Sequence, residues 1–311
     1  MNMKTIAVVG SSNTDMVIKT ERLPAPGETI LGGNFFMNAG GKGANQAVAA
    51  ARLNGNVFFI AKIGNDIFGK NAMELFNNEG INTDHILTDQ KNPSGIALIT
   101  VDANGENCIA VASGANAFLF EDDLRNAQKI LEQAHVILMQ LEIPVSTVEY
   151  VAEIAYQNNK KIILNPAPAC KLSDELLKKI YIITPNEKES EMLTGIVIQD
   201  IDSAKQAAKL LSKKGIEIVI ITLGSNGALI YNNKEFFLIP TLAVDAIDTT
   251  AAGDVFNGAL AVAISEQKNI VEAVQFANCA AAISVTKLGA QASAPHRNEV
   301  EIFMPNNPVK I

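Results

Sequence analysis

Cysteine and histidine are scarce, with three of each in 311 residues. Cys108, Cys170 and Cys279 share no C-x-x-C spacing, so neither a disulfide framework nor a zinc knuckle is indicated, and a reducing, cytoplasmic location is expected. His85, His135 and His296 lie far apart without H-x-x-x-H spacing, which argues against a histidine metal site. Basic residues are outnumbered, 25 Lys and Arg against 33 Asp and Glu, and they form no cluster. A net charge of -8 therefore speaks against a nucleic-acid partner and for a small-molecule one. The opening MNMKTIAVVG stops its apolar run at a glycine, too soon for a signal peptide, and no run approaches the length of a membrane span. Internal repeats and low-complexity tracts are also missing.

Two phosphate-binding signatures are absent as well. Gly41-Lys42 is followed by Gly43 and Gly69-Lys70 by Asn71, so no Walker A loop exists. GGKGANQ fails G-x-G-x-x-G and follows NFFMNA, which reads as strand in a small sheet, so a dinucleotide fold is excluded.

What is present is a rhythm. KTIAVVG, VFFIAKIG, HVILMQLE, KIILNPAP, YIITPNE and EIVIITLG are short, β-branched apolar runs with helical patterns between them. Such alternation predicts an α/β fold with a mostly parallel sheet covered by helices on both faces. ANQAVAAARLNG and SAKQAAKLLSKKG read as helices whose closing glycines, Gly55 and Gly215, suit left-handed caps. GALIYNN and KEFFLIP read as an edge hairpin. Residues 14–38 and 95–112 break the rhythm with strand alternation and no helix, the second centred on Asn104-Gly105. They predict a small sheet standing off a main body formed by residues 1–13, 39–94 and 113–311. Its open apolar face must cover a ligand, the body or a second subunit.

Several short motifs offer chemistry beside a plainer structural use. AGGKGANQAVAA is a glycine turn entering a helix, with Lys42 and Asn45 as donors to hydroxyls or anions. GSSNTD puts Asn13 and Asp15 on one side of an extended chain, where they suit vicinal sugar hydroxyls or merely a turn. In TPNEKES, Asn186 and Glu189 have the spacing of a capping box; Glu189 is also placed to order water around a phosphate-bound magnesium ion. ITLGSNG ends a strand where a nucleotide's phosphates, or only a hairpin corner, belong. DTTAAGD, residues 248–254, precedes the apolar helical pattern VFNGALAVAI, so Gly253 and Asp254 fall in a helix's first turn. Free N–H groups around Ala252 and Gly253 would then share space with the Asp254 carboxylate, an anion hole beside a base. Phosphoryl transfer needs little more than that, together with a metal on the phosphates.

AGGKGANQAVAAARL, LNPAPA, TPNE, TLGSNG and DTTAAGDVFNGAL, in that order, resemble the PfkB carbohydrate kinase family, and the resemblance runs from the first strand to GAQAS near Ser293. It implies a three-layer fold with a β-sheet lid that pairs with the lid of a second subunit in a homodimer. It also implies ATP-dependent phosphorylation of D-ribose at the 5-hydroxyl, with Asp254 as general base and Gly253 and Ala252 as the anion hole. The sugar is then held by Asn13, Asp15, Gly41, Lys42, Gly43, Asn45 and Glu142. The nucleotide lies along Asn186, Thr222, Gly224, Ser225, Gly227, Gly253 and Asn278, with Glu189 acting through water on Mg2+. Asp248, the carbonyls of Thr250, Ser284, Lys287 and Gly289, and the Ser293 hydroxyl are implied to bind an activating K+. ASGAN at 112–116 departs from the proline or histidine more common there in the family. Rival substrates are deoxyribose, adenosine or another nucleoside, and fructose; a regulator that binds sugar without catalysis is the rival of another class.

Overall fold

The computed structural model describes residues 4–306 of the chain. Nine strands form the main sheet: β1 (Thr5–Val9), β4 (Asn56–Gly64), β5 (Ile86–Asp89), β8 (Val136–Met139), β9 (Lys161–Leu164), β10 (Ile182–Ile183), β11 (Ile218–Thr222), β12 (Ala228–Asn232) and β13 (Glu235–Ile239). Their spatial order is 13-12-11-10-9-8-1-4-5, parallel except for the β11–β12–β13 edge. The six β-branched runs are six of these strands. β5, only four residues long, is an edge strand that the apolar pattern did not signal.

The other four strands, β2 (Asn13–Lys19), β3 (Asn34–Gly40), β6 (Gly95–Val101) and β7 (Asn107–Ala112), make a separate sheet of order 3-2-6-7. Asp102 closes the β6–β7 turn by accepting from the N–H groups of Asn104 and Glu106, with Gly105 in the left-handed region. At the far edge Asn233 and Lys234 both take positive φ, the geometry of a two-residue β12–β13 hairpin.

The helices are α1 (Lys42–Arg52), α2 (Ile67–Asn78), α3 (Gln128–Gln133), α4 (Val145–Gln157), α5 (Asp174–Leu177), α6 (Glu187–Thr194), α7 (Ile201–Lys213), α8 (Ala252–Ser265), α9 (Ile270–Ser284) and α10 (Arg297–Asn306). Alternate strand residues feed two cores. Ile6, Val8, Leu138 and Ile220 pack under α1, α8 and α9, while Ala7, Val9, Met139 and Ile221 pack under α4 and α7. The result is three layers, as a continuously apolar parallel sheet requires. Gly215 supplies the left-handed turn after α7, but after α1 that turn falls on Asn54 and not on Gly55. Asparagine tolerates this conformation, and a Cβ on Gly55 would press to 2.8 Å from the Ala50 carbonyl oxygen.

Strand order reverses between β1 and β8. The carboxyl ends of strands flanking such a switch point open onto a cleft. Into it run the glycine turn before α1, the segment after β8 and the first turn of α8.

Candidate active site

Asp254 sits in the first turn of α8 and is 6% exposed. Its two oxygens accept separately: Asn45 Nδ2 donates to Oδ2 and Gln46 Nε2 to Oδ1, each at 2.9 Å. Burial pushes the carboxyl above the usual carboxylate range, opposed by the Lys42 ammonium and by the two amide donors. Asn45 Oδ1 is buried with no hydrogen-bond partner among the described residues, leaving an acceptor beside the base.

The turn that presents Asp254 is built for close approach. Ala251, the N-cap of α8, holds φ at 60°, a costly conformation for alanine. The Ala252 N–H, expected to be free for the anion hole, instead donates to the Thr249 carbonyl at 3.2 Å because the tight turn closes on itself, whereas a Cβ on Gly253 would meet nothing within 4 Å. Gly253 therefore faces open space at the positive end of the helix dipole.

On one side of Asp254 lies a polar cluster. Glu142 Oε2 accepts from Ser11 Oγ at 2.5 Å and from the Lys42 N–H at 3.0 Å. Asp15 is pushed up to about 6, first by burial and then by the Glu142 and Asp254 charges. Lys42 loses stability as a cation through burial, but Asp254, Glu142, Glu189 and Asp15 more than restore it and hold its pKa above the usual lysine value. Asn13 Oδ1 accepts from Asn116 Nδ2 at 2.8 Å, so its amide N–H groups are directed elsewhere. Gly41, with φ 88°, and Gly43 let this chain pass against Ser11 to Asn13: added Cβ atoms would meet Asn13 N at 2.7 Å and Ser11 N at 2.5 Å.

On the other side is a groove of about 870 Å³ that contains Lys42, Asn186, Glu189, Thr222, Gly224, Ser225, Gly227, Gly253, Asp254 and Asn278 in its wall. The capping box forms: Asn186 Oδ1 accepts from the Glu189 N–H and Glu189 Oε2 from the Asn186 N–H, both at 2.9 Å. Burial raises the Glu189 pKa, with the Asn186 N–H pulling against it. Gly227, at φ 86°, lies against the Ile239 carbonyl, where any side chain would collide. Leu242, Ala243, Val244, Ala281, Ala282 and Val285 add an apolar end. Sequence reasoning passed over TLAVDAI, residues 241–247; its signal was the mostly apolar character of the stretch that leads into DTTAAGD.

Asp248 bridges two loops, accepting from the Thr250 and Gly289 N–H groups at 2.9 Å each. Burial alone would raise its pKa, but these bonds win and hold it low. Gly289 has φ 91°. The Ser284 and Ser293 hydroxyls donate to the Ala281 and Ala290 carbonyls at 2.8 Å, and Lys287 Nζ pairs with Glu299. The structure thus joins Asp248, Thr250 and Gly289 directly, and gives Ser284, Lys287 and Ser293 no direct bond to them.

A polar pocket and a long groove that meet at a buried carboxylate define, as a class, an enzyme that moves a group between two substrates. The model of the pfkB family carbohydrate kinases matches residues 3–297. The chain is 50% identical over 301 residues to the ribokinase of Haemophilus influenzae, covering 97% of this chain and 98% of that one. The crystal structure of ribokinase from Thermotoga maritima superposes with a TM-score of 0.90 at 42% identity, over 97% of this chain and all of the other. An Arabidopsis thaliana ribokinase complexed with ribose and ATP gives 0.90 at 33%, over 97% and 99%. The chain belongs to the pfkB family of carbohydrate kinases. It is a phosphotransferase acting on a sugar hydroxyl, with the ribokinase-like three-layer fold and a separate four-stranded sheet.

Proposed function

We propose that this chain transfers the γ-phosphoryl group of ATP to the 5-hydroxyl of D-ribose, giving ribose 5-phosphate and ADP. The observation that carries it is the place of Asp254, between the polar cluster and the groove and held by donors on both oxygens. The named relatives, among them the Arabidopsis protein bound to ribose and ATP, support the substrate pair.

In this reading Asn13, Asp15, Gly41, Lys42, Gly43, Asn45 and Glu142 hold the sugar, a small polar molecule that needs many hydrogen bonds. Asp254 accepts the 5-hydroxyl proton as the new bond forms, a task set by position more than by basicity. Gly253, with Ala252 beside it, receives charge on the transferred group through its N–H. Asn186, Thr222, Gly224, Ser225, Gly227 and Asn278 line the nucleotide's path.

Among the described residues no group of three or more His, Cys, Asp or Glu could hold a metal ion. Mg2+ keeps waters and binds mainly through substrate phosphates, and Glu189, in the groove wall with Oε2 held by the Asn186 N–H, is placed as its outer carboxylate. Bound magnesium would neutralise charge on the β- and γ-phosphates. The ionised Asp248, joined through its N–H to the Val285 carbonyl at 3.1 Å, offers the hard-oxygen chemistry that suits K+, with Thr250, Ser284, Lys287, Gly289 and Ser293 as the remaining donors; a bound ion there would fix the loop before Gly253.

Strands β2, β3, β6 and β7 act as a lid that excludes water on closure. Pairing register puts Met16, Met37, Leu98 and Ala110 on the face opposite Asp15. Met37 and Leu98 are 55% and 52% exposed, and a second copy's lid in a homodimer would cover them.

The test is ADP release with ATP, magnesium and D-ribose, deoxyribose, fructose or adenosine. Ribose should give the highest kcat/KM; a better rival would mean that the sugar contacts are misread, and no turnover on any sugar would favour a binding protein.

A further inference from the structure

Behind the base lies a run of buried amides that none of the roles above uses. Gln46 and Gln140 have no solvent exposure, and burying carboxamides is costly unless they are paired; both polar atoms of Gln46 are bonded, while Gln140 is bonded through Nε2 and its Oε1 has no partner among the described residues. Gln140 Nε2 donates to Gln46 Oε1 at 2.5 Å, and Gln46 Nε2 donates to Asp254 Oδ1 at 2.9 Å. The polarity of this chain is forced. A carboxylate only accepts, so Gln46 must turn its NH2 toward Asp254 and its oxygen away, and that oxygen then needs a donor, which Gln140 supplies. A Cβ on Gly10 would overlap the Gln140 carboxamide, so the small residue at the end of β1 makes room for it.

The same Gln46 NH2 also reaches Asn165 Oδ1 at 3.1 Å. From there Asn165 Nδ2 donates to the Thr184 carbonyl at 3.4 Å, Thr184 Oγ1 to Asn257 Oδ1 at 2.7 Å, and Asn257 Nδ2 to the Gly253 carbonyl at 2.8 Å. The circuit returns to the turn it started from, tying the carboxylate to the glycine beside it.

We infer that Gln46 is a positioning residue that aims the Asp254 carboxylate, with Gln140 fixing which way the Gln46 amide points. This rests on Asp254 being the base. Asn45 alone leaves the carboxylate free to rotate about its bond to Oδ2; the second donor removes that freedom. Small errors of aim at a reacting atom cost rate far more than binding.

The experiment measures kcat and both KM values with ATP, magnesium and D-ribose for Gln46→Met, Gln140→Met, their double variant and Asp254→Asn. Gln46→Met should lower kcat about 30- to 100-fold and Gln140→Met about 3- to 10-fold, with each KM within about threefold of wild type. The double variant should match Gln46→Met, because Gln140 acts only through Gln46. Losses that multiply, a KM that rises with the fall in kcat, or an unchanged kcat in either single variant would overturn the inference. If Gln46→Met does not fold, Gln140→Met alone decides by the same criterion. Collapse of Asp254→Asn beside a normal Gln46→Met sinks the inference and spares the base; wild-type turnover by Asp254→Asn sinks both.

Discussion

Asn45 Nδ2 lies 2.9 Å from Asp254 Oδ2, joining the start of α1 to the start of α8 across 209 positions. In the proposed reading, these two helix beginnings, meeting at one carboxylate, put the turn that holds the sugar and the turn that receives the phosphoryl group within reach of the same hydroxyl.

Asp15, titrating near pH 6, should make sugar binding pH-dependent. Its ionised form accepts hydroxyl protons, so KM for the sugar should rise as pH falls through about 6, and Asp15→Asn should show a high KM without that dependence. Stability runs the other way. The folded pKa lies above the ordinary value of 3.8, so the group's contribution is present below about pH 3.8 and lost as pH rises through about 6. Relative to Asp15→Asn, the wild type should lose about 1–3 kcal/mol over that window, read by urea unfolding at pH 4 and pH 7.

Glu189 serves a cap and, in the proposed reading, a metal. Glutamine keeps the capping box, so Glu189→Gln should melt within about 2 °C of wild type while kcat falls about 10- to 100-fold and half-saturating magnesium rises. A mutant that melts early with normal magnesium dependence would leave only the cap.

Much of the main fold was legible because buried parallel strands are continuous apolar runs, and the hairpin and α8 announced themselves through turn residues and periodicity. Asp254 was legible because small residues before an acid at a helix start are hard to explain as packing. Other features were silent for physical reasons. Ala251 gives no hint of a positive φ, since the strain is imposed by the surrounding structure. Gln46 and Gln140, 94 positions apart, carry no local mark; Gln46 in a helix reads as surface and Gln140 just past a strand reads as loop until the fold brings them together. β5, Ile-Leu-Thr-Asp, is an only partly buried edge strand and so lacks the continuous apolar run that marked the equally short β8.

Turnover should be higher in potassium than in sodium buffer at equal ionic strength. Asp248→Asn should remove most of that difference. It should also lower kcat in sodium, because Asp248 joins the Thr250 and Gly289 loops even without an ion.

Sedimentation should show a homodimer. Phe35, 61% exposed, lies with Met37 and Leu98 on the face opposite Asp15. Leu98→Asp should shift the protein to monomer by placing a charge in the covered face; a wild-type monomer at micromolar concentration would move the interface elsewhere.

The most direct test of the account is the single-turnover rate of phosphoryl transfer to D-ribose, at saturating ribose and magnesium ATP, for wild type and Asp254→Asn. A fall of roughly 100- to 10,000-fold, with both substrates bound within about fivefold of wild-type affinity, is predicted for loss of a general base. Transfer by Asp254→Asn within about tenfold of wild type would contradict the account.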